Sequence, residues 1–459
     1  MQSIWHQETK TTTYPPLDLT IKVDVIIIGG GIAGLHCAYF LKKAGKKVAV
    51  LEAESIGFGT SGATTAHITS EHNLFYDYLV KNIGQEKARL YGQSNQEAIE
   101  VIEKIVKEEN IECDFKRVHS QLFVDNKKDI DRLKTEYEVA KKLGLPVSYK
   151  QKADLPFKTF GAIDYAGQAE FQPLKYMFGL AKIINTDGSF IFEKTRCLDV
   201  AEGEPCTITT EAGKINSAEV IVATRSPILD RGMYFARMKF LRSYVLGIYI
   251  EEKISGLFDD TADPYHYIRS LPTKKGQMVL VGGEDHATGA TSDTEACFTR
   301  LKNYAEKHFT VKSVACQWSS QDTYPFDQIP FIGSYRLGSK HLWVATGFSG
   351  YGMTFSAISG ILLRDLILKI DNPWADLYNP QRFSIAHELP EMIEAGIGEL
   401  KGFLPKADTG TKKAPKCTHL GCSMNFNKAE ESWDCPCHGS RFDKDGNILD
   451  GPATKKCQV

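Results

Sequence analysis

The sequence predicts an α/β fold. A parallel-stranded layer begins near the N-terminus, strands and helices alternate after it, and a small cysteine- and histidine-rich module closes the chain. Three observations predict this. Val23-Asp24-Val25-Ile26-Ile27-Ile28 is apolar enough to be buried on both faces, as parallel strands are, and glycines then a helical pattern follow it. Strand-like and helix-like segments alternate from there to about Lys369. Five of the eleven cysteines fall between Cys417 and Cys457, interleaved with histidines.

A chain of 459 residues suggests about two to four domains. The net charge is −2, from 55 basic and 57 acidic side chains, which argues against nucleic acid or an anionic membrane surface as partner. Met1 to Thr13 is polar, so no secretory signal is expected. No run of about eighteen apolar residues occurs, so no transmembrane segment is expected. Cys37, Cys113, Cys197, Cys206, Cys297 and Cys316 are scattered singly. Single thiols without a signal peptide suit a reducing, cytoplasmic location.

Taken in order, the strand at 23–28 leads into a helix to about Ala44 and a second strand at Lys47 to Leu51. Residues 57–70 are rich in Gly, Ser and Thr and read as a loop; 74–110 carry apolar positions at helical spacing. Short strands alternate with helices (130–143 and 172–185) from Val118 to about Ser226. Strand-like runs fill 240–285, a helix is expected around 293–308, a strand at His341 to Ala345, and a helix from Gly347–Gly352 to about Lys369. Residues 371–405 hold prolines at 373, 380 and 390 and an amphipathic stretch at 389–401, and 405–416 read as a linker.

Gly29, Gly31 and Gly34 form G-x-G-x-x-G between a strand and a helix, and Glu52 ends the next strand 23 residues on. The motif alone is weak; the strand, helix and acidic residue make it a dinucleotide fingerprint rather than a glycine-rich turn of another α/β protein. Gly29 permits the tight turn, Gly31 the approach of a pyrophosphate, and Gly34 close helix–strand packing. The helix N-terminus, at Ile32 and Ala33, then faces the phosphates. Glu52 can accept hydrogen bonds from ribose hydroxyls, with Ala53 beside it.

The fingerprint does not choose FAD over NAD, but other segments do. Gly57-Phe58-Gly59-Thr60-Ser61-Gly62-Ala63-Thr64-Thr65 resembles the Gly/Ser loop of the D-amino-acid oxidase and glycine oxidase (DAO) superfamily of flavoenzymes. Ala218 to Thr224 resembles its strand returning to the FAD domain, Asp327 to Gly333 its "D-G-x-P-x-I-G" segment, and Ala345 to Thr354 its C-terminal flavin loop. The resemblance runs from about residue 20 to 370. It implies a GR-type, Rossmann-like FAD-binding domain interleaved with a mixed-sheet α+β substrate domain. It places Thr60, Ser61, Gly62, Thr64, Thr65, Ala223, Thr224, Gly347, Gly350, Gly352, Met353 and Thr354 around the FAD, where backbone donors of the last loop can stabilise charge on a reduced ring. Some relatives attach flavin covalently near His67, but Ala66 aligns at that point, so a non-covalent flavin is expected.

On the substrate side the sequence leaves alternatives. Arg269 aligns where relatives hold a substrate carboxylate, a task suited to a bidentate guanidinium, but an arginine at a strand surface reads the same. Tyr265, Tyr267 and Tyr351 are further candidates, indistinguishable from core packing. Met233 to Gly247 is aromatic and basic together and reads either as a substrate channel or as sheet core with a charged edge. No catalytic base is named, since an amine can lose its proton before binding.

Cys417-Thr418-His419-Leu420-Gly421-Cys422 and Cys435-Pro436-Cys437-His438-Gly439-Ser440 give C-x-H-x2-C and C-x-C-H, with 15 residues between His419 and Cys435. Zinc also takes two Cys and two His, but at other spacings. The pattern resembles the Rieske signature of cytochrome bc-type proteins. That resemblance implies a [2Fe-2S] cluster with Cys417 and Cys435 on one iron and His419 and His438 on the other. It also implies a disulfide between Cys422 and Cys437. Such ligation sets potentials of about −150 to +300 mV. Ser440 can donate to a cluster sulfide, and Gly451-Pro452-Ala453 resembles the shielding proline loop. Few residues separate the linker from Cys417, so a shortened β module is expected: either its loops pack on the flavin domain or the sequence is abridged.

The whole arrangement resembles bacterial FAD-dependent oxidoreductases with a C-terminal Rieske domain. The expected organisation is 20–372 for the FAD parts (about 20–80, 170–230, 325–372) and substrate parts (about 81–169, 231–324), 373–410 as connector and 411–459 as Rieske module. The implied activity is an amine or amino-acid dehydrogenase with a small-molecule substrate and a redox partner or quinone-like acceptor. An amine oxidase using oxygen with a structural Rieske module, and a reductase feeding a partner oxygenase, are the alternatives.

Overall fold

Val25–Ile28 and Val48–Leu51 have every residue buried, so both faces of their sheet must be covered. In the computed structural model, which describes residues 2–291, 293–382 and 414–459, they lie side by side in a six-stranded sheet. Its order is Phe331–Ser334, Leu342–Thr346, Glu219–Val222, Val25–Ile28, Val48–Leu51, Phe190–Phe192. All pairs are parallel except the first. Helices Ile32–Lys43, Pro173–Ile184 and Gly352–Leu368 cover one face. Gly360 lets the last of these lie against Ile32–Lys43, since a Cβ there would stand 2.9 Å from the His36 backbone. Pro173 starts the middle helix, and the Gln172 side chain caps it by accepting from Lys175 N.

The second sheet has nine strands. Val311–Pro325, Met238–Ile250, Gly276–Ala287, His266–Thr273, Leu257–Asp260, Lys116–Phe123, Ala162–Glu170 and His67–Ile68 run in that order, with Val147–Lys150 also pairing Ala162–Glu170. One pair, Leu257–Asp260 with Lys116–Phe123, is parallel; the other pairs are antiparallel, so the sheet is mixed. His67–Ile68 already pair with Glu170 and Ala169, so the chain enters this sheet ahead of the boundary expected near residue 80. Helix Thr294–His308, capped by Asp293, lies on it. The helical pattern at 74–110 is Tyr76–Glu108, broken at Gly84, whose φ of +82° is not helical.

Residues 197–217 form a three-stranded antiparallel meander, and 425–450 a four-stranded antiparallel sheet. The latter has its own small core of Cys417, Cys422, Met424, Cys435, Phe442, Ala453 and Cys457. It leans on the outer pair of long strands, Met238–Ile250 and Val311–Pro325. Their pleat divides their side chains between two neighbours. Ser243, Ser320 and Asp322 face a cleft in the main body, while Phe240, Arg242, Ser319 and Gln321 meet the module.

The stretch Met233 to Gly247 is the second of the two things its composition suggested, sheet core with a charged edge: Tyr234, Met238, Phe240, Tyr244, Val245 and Leu246 are buried in the core, while Lys239 is exposed. Phe235, Phe240 and Arg242 also meet the C-terminal module, and only Ser243 of the stretch lines the cleft. The expected amphipathic stretch at 389–401, most of the connector and most of the 405–416 linker lie outside the described residues. No helix among the described residues is long and apolar enough to cross a membrane.

Candidate cofactor and substrate sites

The turn after the first strand is held by backbone sterics. Gly29 has φ of +111°, and a Cβ there would stand 2.6 Å from Ala223 O. A Cβ on Gly34 would stand 2.0 Å from Gly29 O, so only glycine lets the helix start this close to the strand. Glu52 reaches back under the turn: its carboxylate accepts from Gly30 N at 2.7 Å and Glu54 N at 2.8 Å. Burial raises the pKa of that carboxyl. Ser61 Oγ accepts from Ile32 N at 3.1 Å, at the positive end of the helix.

These groups open onto one long cleft. Gly29, Gly31, Ile32, Ala33, Glu52, Ala53, Thr60, Ser61, Thr64, Thr65, Ala223, Thr224, Gly347, Gly350, Gly352 and Met353 line it. Three of the expected residues do not. Gly34 sits behind the turn. Gly62 packs below the loop, with its absent Cβ 2.0 Å from Gly57 O. Thr354 is buried with its hydroxyl toward Thr69 O and Tyr351 O.

The cleft carries an unmet polar demand. His67 Nε2, Arg225 Nε, Ser226 Oγ, Ser320 Oγ and Ser349 Oγ are buried along it without a protein partner. Buried polar atoms are nearly always paired, so a polar ligand spanning the cleft is what these residues fit, and FAD suits both the glycine turn and the length. Arg225, Ser226 and Ser349 were not legible as site residues. Their one mark is backbone: Arg225 (φ +58°) and Ser349 (φ +51°) adopt the left-handed region.

Tyr265, Tyr267 and Tyr351 line the far end with His67, Asp259 and Ser243. Tyr351 stacks on His72 at 3.8 Å between centroids, and the Tyr267 hydroxyl meets Ser243 Oγ at 2.8 Å. Burial, then the nearby Arg269 charge, pushes His67 down to about 4, so its ring is neutral. Burial pushes Asp259 and Asp285 up to about 7 each.

Arg269 corrects the sequence expectation. It does not line the cleft. Its guanidinium pairs with Glu170 at 3.2 Å and donates to Thr65 O at 2.5 Å and Phe171 O at 3.0 Å, under the Trp5 ring. It is 3% exposed, and it is bound to the backbone that carries the flavin loop rather than free for a substrate carboxylate.

In the module, Cys422 and Cys437 form a disulfide with S–S of 2.09 Å. Cys435 Sγ lies within 4.8 Å of both those sulfurs, but with these two spent in the disulfide its remaining partner is Cys417. The two free thiols hydrogen-bond. That bond lowers Cys417 to about 6, helped by Ser440, and raises Cys435. The imidazoles of His419 and His438 stand at 87° with centroids 5.0 Å apart. His419 Nε2 pairs with Asp230 Oδ1 at 2.9 Å, leaving a buried Nδ1 without a partner. Two thiols, two imidazoles and an orphaned ring nitrogen fit the donor set of a Rieske [2Fe-2S] cluster.

The module's loops do rest on the main body. Phe235 sets its edge against both imidazoles, at 5.2 and 4.9 Å. Gln321 Nε2 donates to Gly439 O at 2.9 Å, and a Cβ on Gly439 would collide with Phe240 at 2.6 Å. Ser440 Oγ accepts from Ala453 N at 3.1 Å, tying the proline loop to the second cysteine loop. Leu449, Asp450, Gly451, Ala453 and Thr454 line the same cleft as Gly29 and Gly31, and Asp450 pairs there with Arg225 at 2.7 Å. The shortness of the module made packing of its loops on the flavin domain one expectation; that they line the cleft itself was not legible.

Comparison with known proteins agrees with this geometry. The family model "FAD dependent oxidoreductase" matches residues 24–366, and the model "Rieske [2Fe-2S] domain" matches 406–459. A protein of Bacillus subtilis (strain 168) named as a Rieske 2Fe-2S iron-sulfur protein, YhfW, is 34% identical over 99% of this chain and 96% of its own length. The gamma-glutamylputrescine oxidoreductase of Escherichia coli (strain K12) is 25% identical over 78% of this chain and 86% of its own. Among solved structures, glycine oxidase from Geobacillus kaustophilus superposes with a TM-score of 0.65 at 18% identity, covering 80% of this chain and all of that one.

Proposed function

The chain belongs to the FAD dependent oxidoreductase family and carries a Rieske [2Fe-2S] domain; from that premise we propose that it is an amine or amino-acid dehydrogenase acting on CH–NH or CH–NH2 donors. FAD, when bound, accepts a hydride from the carbon beside the donor nitrogen, and a Rieske cluster takes electrons singly and passes them to an external, quinone-like or protein acceptor. The protein's part is to bind, orient and exclude water. Gly29, Gly31 and the helix start at Ala33 hold phosphate, Glu52 the ribose, and the 347–353 loop the ring. Tyr265, Tyr267 and Tyr351 shape the donor's space. Six buried single thiols suit a reducing compartment, and the cytoplasm is the proposed location.

The observation that carries this reading is the wall shared by the two sites. Leu449 and Asp450 of the module's last strand and Gly451, Ala453 and Thr454 of the segment after it line the flavin cleft as well. A module serving only as structure has no need to reach that cleft. Anaerobic addition of an amine to the purified protein, followed by absorption and low-temperature EPR, tests it. The expected result is bleaching of the flavin together with a Rieske signal from the reduced cluster. Rapid stoichiometric peroxide in air, unchanged in His419→Ala, would replace it with the oxidase reading.

A further inference from the structure

One imidazole of the C-terminal module is tied to a carboxylate of the main body. His419 Nε2 meets Asp230 Oδ1 at 2.9 Å, with side chains 4% and 56% exposed. A carboxylate only accepts, so Nε2 carries the proton of the neutral ring and Nδ1 carries the lone pair. That Nδ1 is buried without a protein partner. The ring therefore has two distinct ends, one left for iron and one joined to an acid.

The main body sets Asp230 in place. Its segment starts in the flavin cleft, which Ala223 to Ser226 and Ile228 line, and continues into the short turns Asp230–Gly232 and Tyr234–Ala236. Buried tyrosines lock these turns: the Tyr234 hydroxyl donates to Tyr335 O at 2.6 Å, and the Tyr335 hydroxyl donates to Leu229 O at 2.5 Å. Arg231, next in sequence, is taken by Asp199 and by Val200 O. On the module side, the loop that carries His419 is closed by Cys417 N on Cys422 O and by Gly421 N on Cys417 O, each at 2.9 Å. The Phe235 edge, from the second turn, stands 5.2 Å from the His419 ring.

A metal-bound imidazole whose other nitrogen donates to a carboxylate is held in one orientation and becomes a more basic ligand. A negative charge beside a cluster also disfavours the electron that reduction adds, and net charge and hydrogen bonding are among the factors that set such potentials. We infer that Asp230 is a positioning residue for the cluster: it fixes the His419 ring with Nδ1 left to bind iron and, through the Nε2 proton, lowers the midpoint potential of the cluster. The main body thereby tunes the redox centre docked on it. This rests on the cluster and on no particular electron donor.

The test is an anaerobic, dye-mediated dithionite titration of the full-length holoprotein, with the cluster read by low-temperature EPR and the flavin by absorbance. Asp230→Asn keeps the size of the side chain and removes its charge. At the potential where half of the unaltered cluster is reduced, the reduced-to-oxidised ratio of the variant is expected to be roughly tenfold higher, the scale of one charge a few Å away in partly wet surroundings. Asp230→Glu should return the ratio most of the way. Asp230 does not line the cleft, so the flavin titration should not move in either variant. Phe235→Leu alters a neutral contact of the same ring and should raise the ratio less. An unchanged or lowered ratio in Asp230→Asn overturns the inference, as does an equal rise in Phe235→Leu. Loss of the Rieske signal from Asp230→Asn with flavin retained overturns it too, since Asp230 would then hold the cluster rather than tune it. Dithionite supplies the electrons, so neither result bears on the amine reading.

Discussion

The Arg242 guanidinium and the Glu430 carboxylate form an ion pair across the boundary between the mixed sheet and the C-terminal module, with side chains 1% and 11% exposed. Ser319 donates to the same carboxylate, and Arg441 approaches it at 2.9 Å. Burial alone would raise Glu430; the charges of Arg242 and Arg441 outweigh it and hold the carboxyl at about 2. This buried network, together with Gln321 on Gly439, fixes how the cluster ligands sit against the flavin body.

Arg242→Met should therefore weaken docking. It leaves Glu430 with one arginine fewer in a buried place, at a cost of about 3–5 kcal/mol. Flavin reduction by the donor should persist while reduction of the cluster slows, read by stopped-flow absorbance and freeze-quench EPR. Combining it with Glu430→Gln should recover part of the loss. A change below about 1 kcal/mol in denaturant unfolding would mean the pair behaves like a surface one.

Cys417→Ser should abolish the Rieske EPR signal and leave flavin absorbance as it was. Cys417 is 3% exposed, meets Cys435 and Ser440 inside the module, and does not line the cleft. Loss of flavin together with the cluster would show that the module cannot be perturbed alone.

Gly34→Ala should cost bound flavin. Its Cβ would stand 2.0 Å from Gly29 O, so the helix must move away from the turn that cradles the phosphates. Overpacking of this kind costs about 1–3 kcal/mol, here expressed as weaker FAD binding. The ratio of 450 nm to 280 nm absorbance in the purified variant measures it.

Arg269→Met separates a structural arginine from a substrate ligand. Removing the cation leaves Glu170 buried, 7% exposed, and the Thr65 and Phe171 carbonyls without their donor. A loss of about 3–5 kcal/mol is expected. A raised KM with an unchanged Tm would return Arg269 to the substrate.

Acid should destabilise the fold through His36 and His72. Both are fully enclosed, His36 between Ser356 and Tyr176 and His72 between Tyr91 and Thr69 O, and burial lowers both from 6.5 to about 3. Because the folded value lies below the unfolded one, the unfolded chain binds the protons between those limits. Stability is then full above 6.5 and falls as pH drops toward 3, by about 1.4 kcal/mol per pH unit for each histidine. Thermal melts from pH 7 to 4 should show this slope, and His36→Gln should flatten it.

Much of this was legible in the sequence because the forces behind it are local. The strand, glycine turn and helix at 25–43 follow from hydrophobic pattern and from where a Cβ can fit. The Cys417, His419, Cys435 and His438 set follows from the few side chains that bind iron and the short loops that must present them. Arg269 misled because its partner Glu170 is 99 residues away, and an arginine on a strand reads alike whether it meets a substrate or a carboxylate.

By itself, then, the sequence determined the α/β class, the dinucleotide turn and the cluster ligands, each a matter of neighbouring residues and their chemistry. Only the tertiary structure decided that Arg269 is spoken for, that Phe240 and Arg242 within the sheet-core stretch meet the module, and that Asp450 and Gly451 share a cleft with Gly29. Those depend on which face of a strand meets which distant surface, and alternation along a strand records that there are two faces without saying what lies against either.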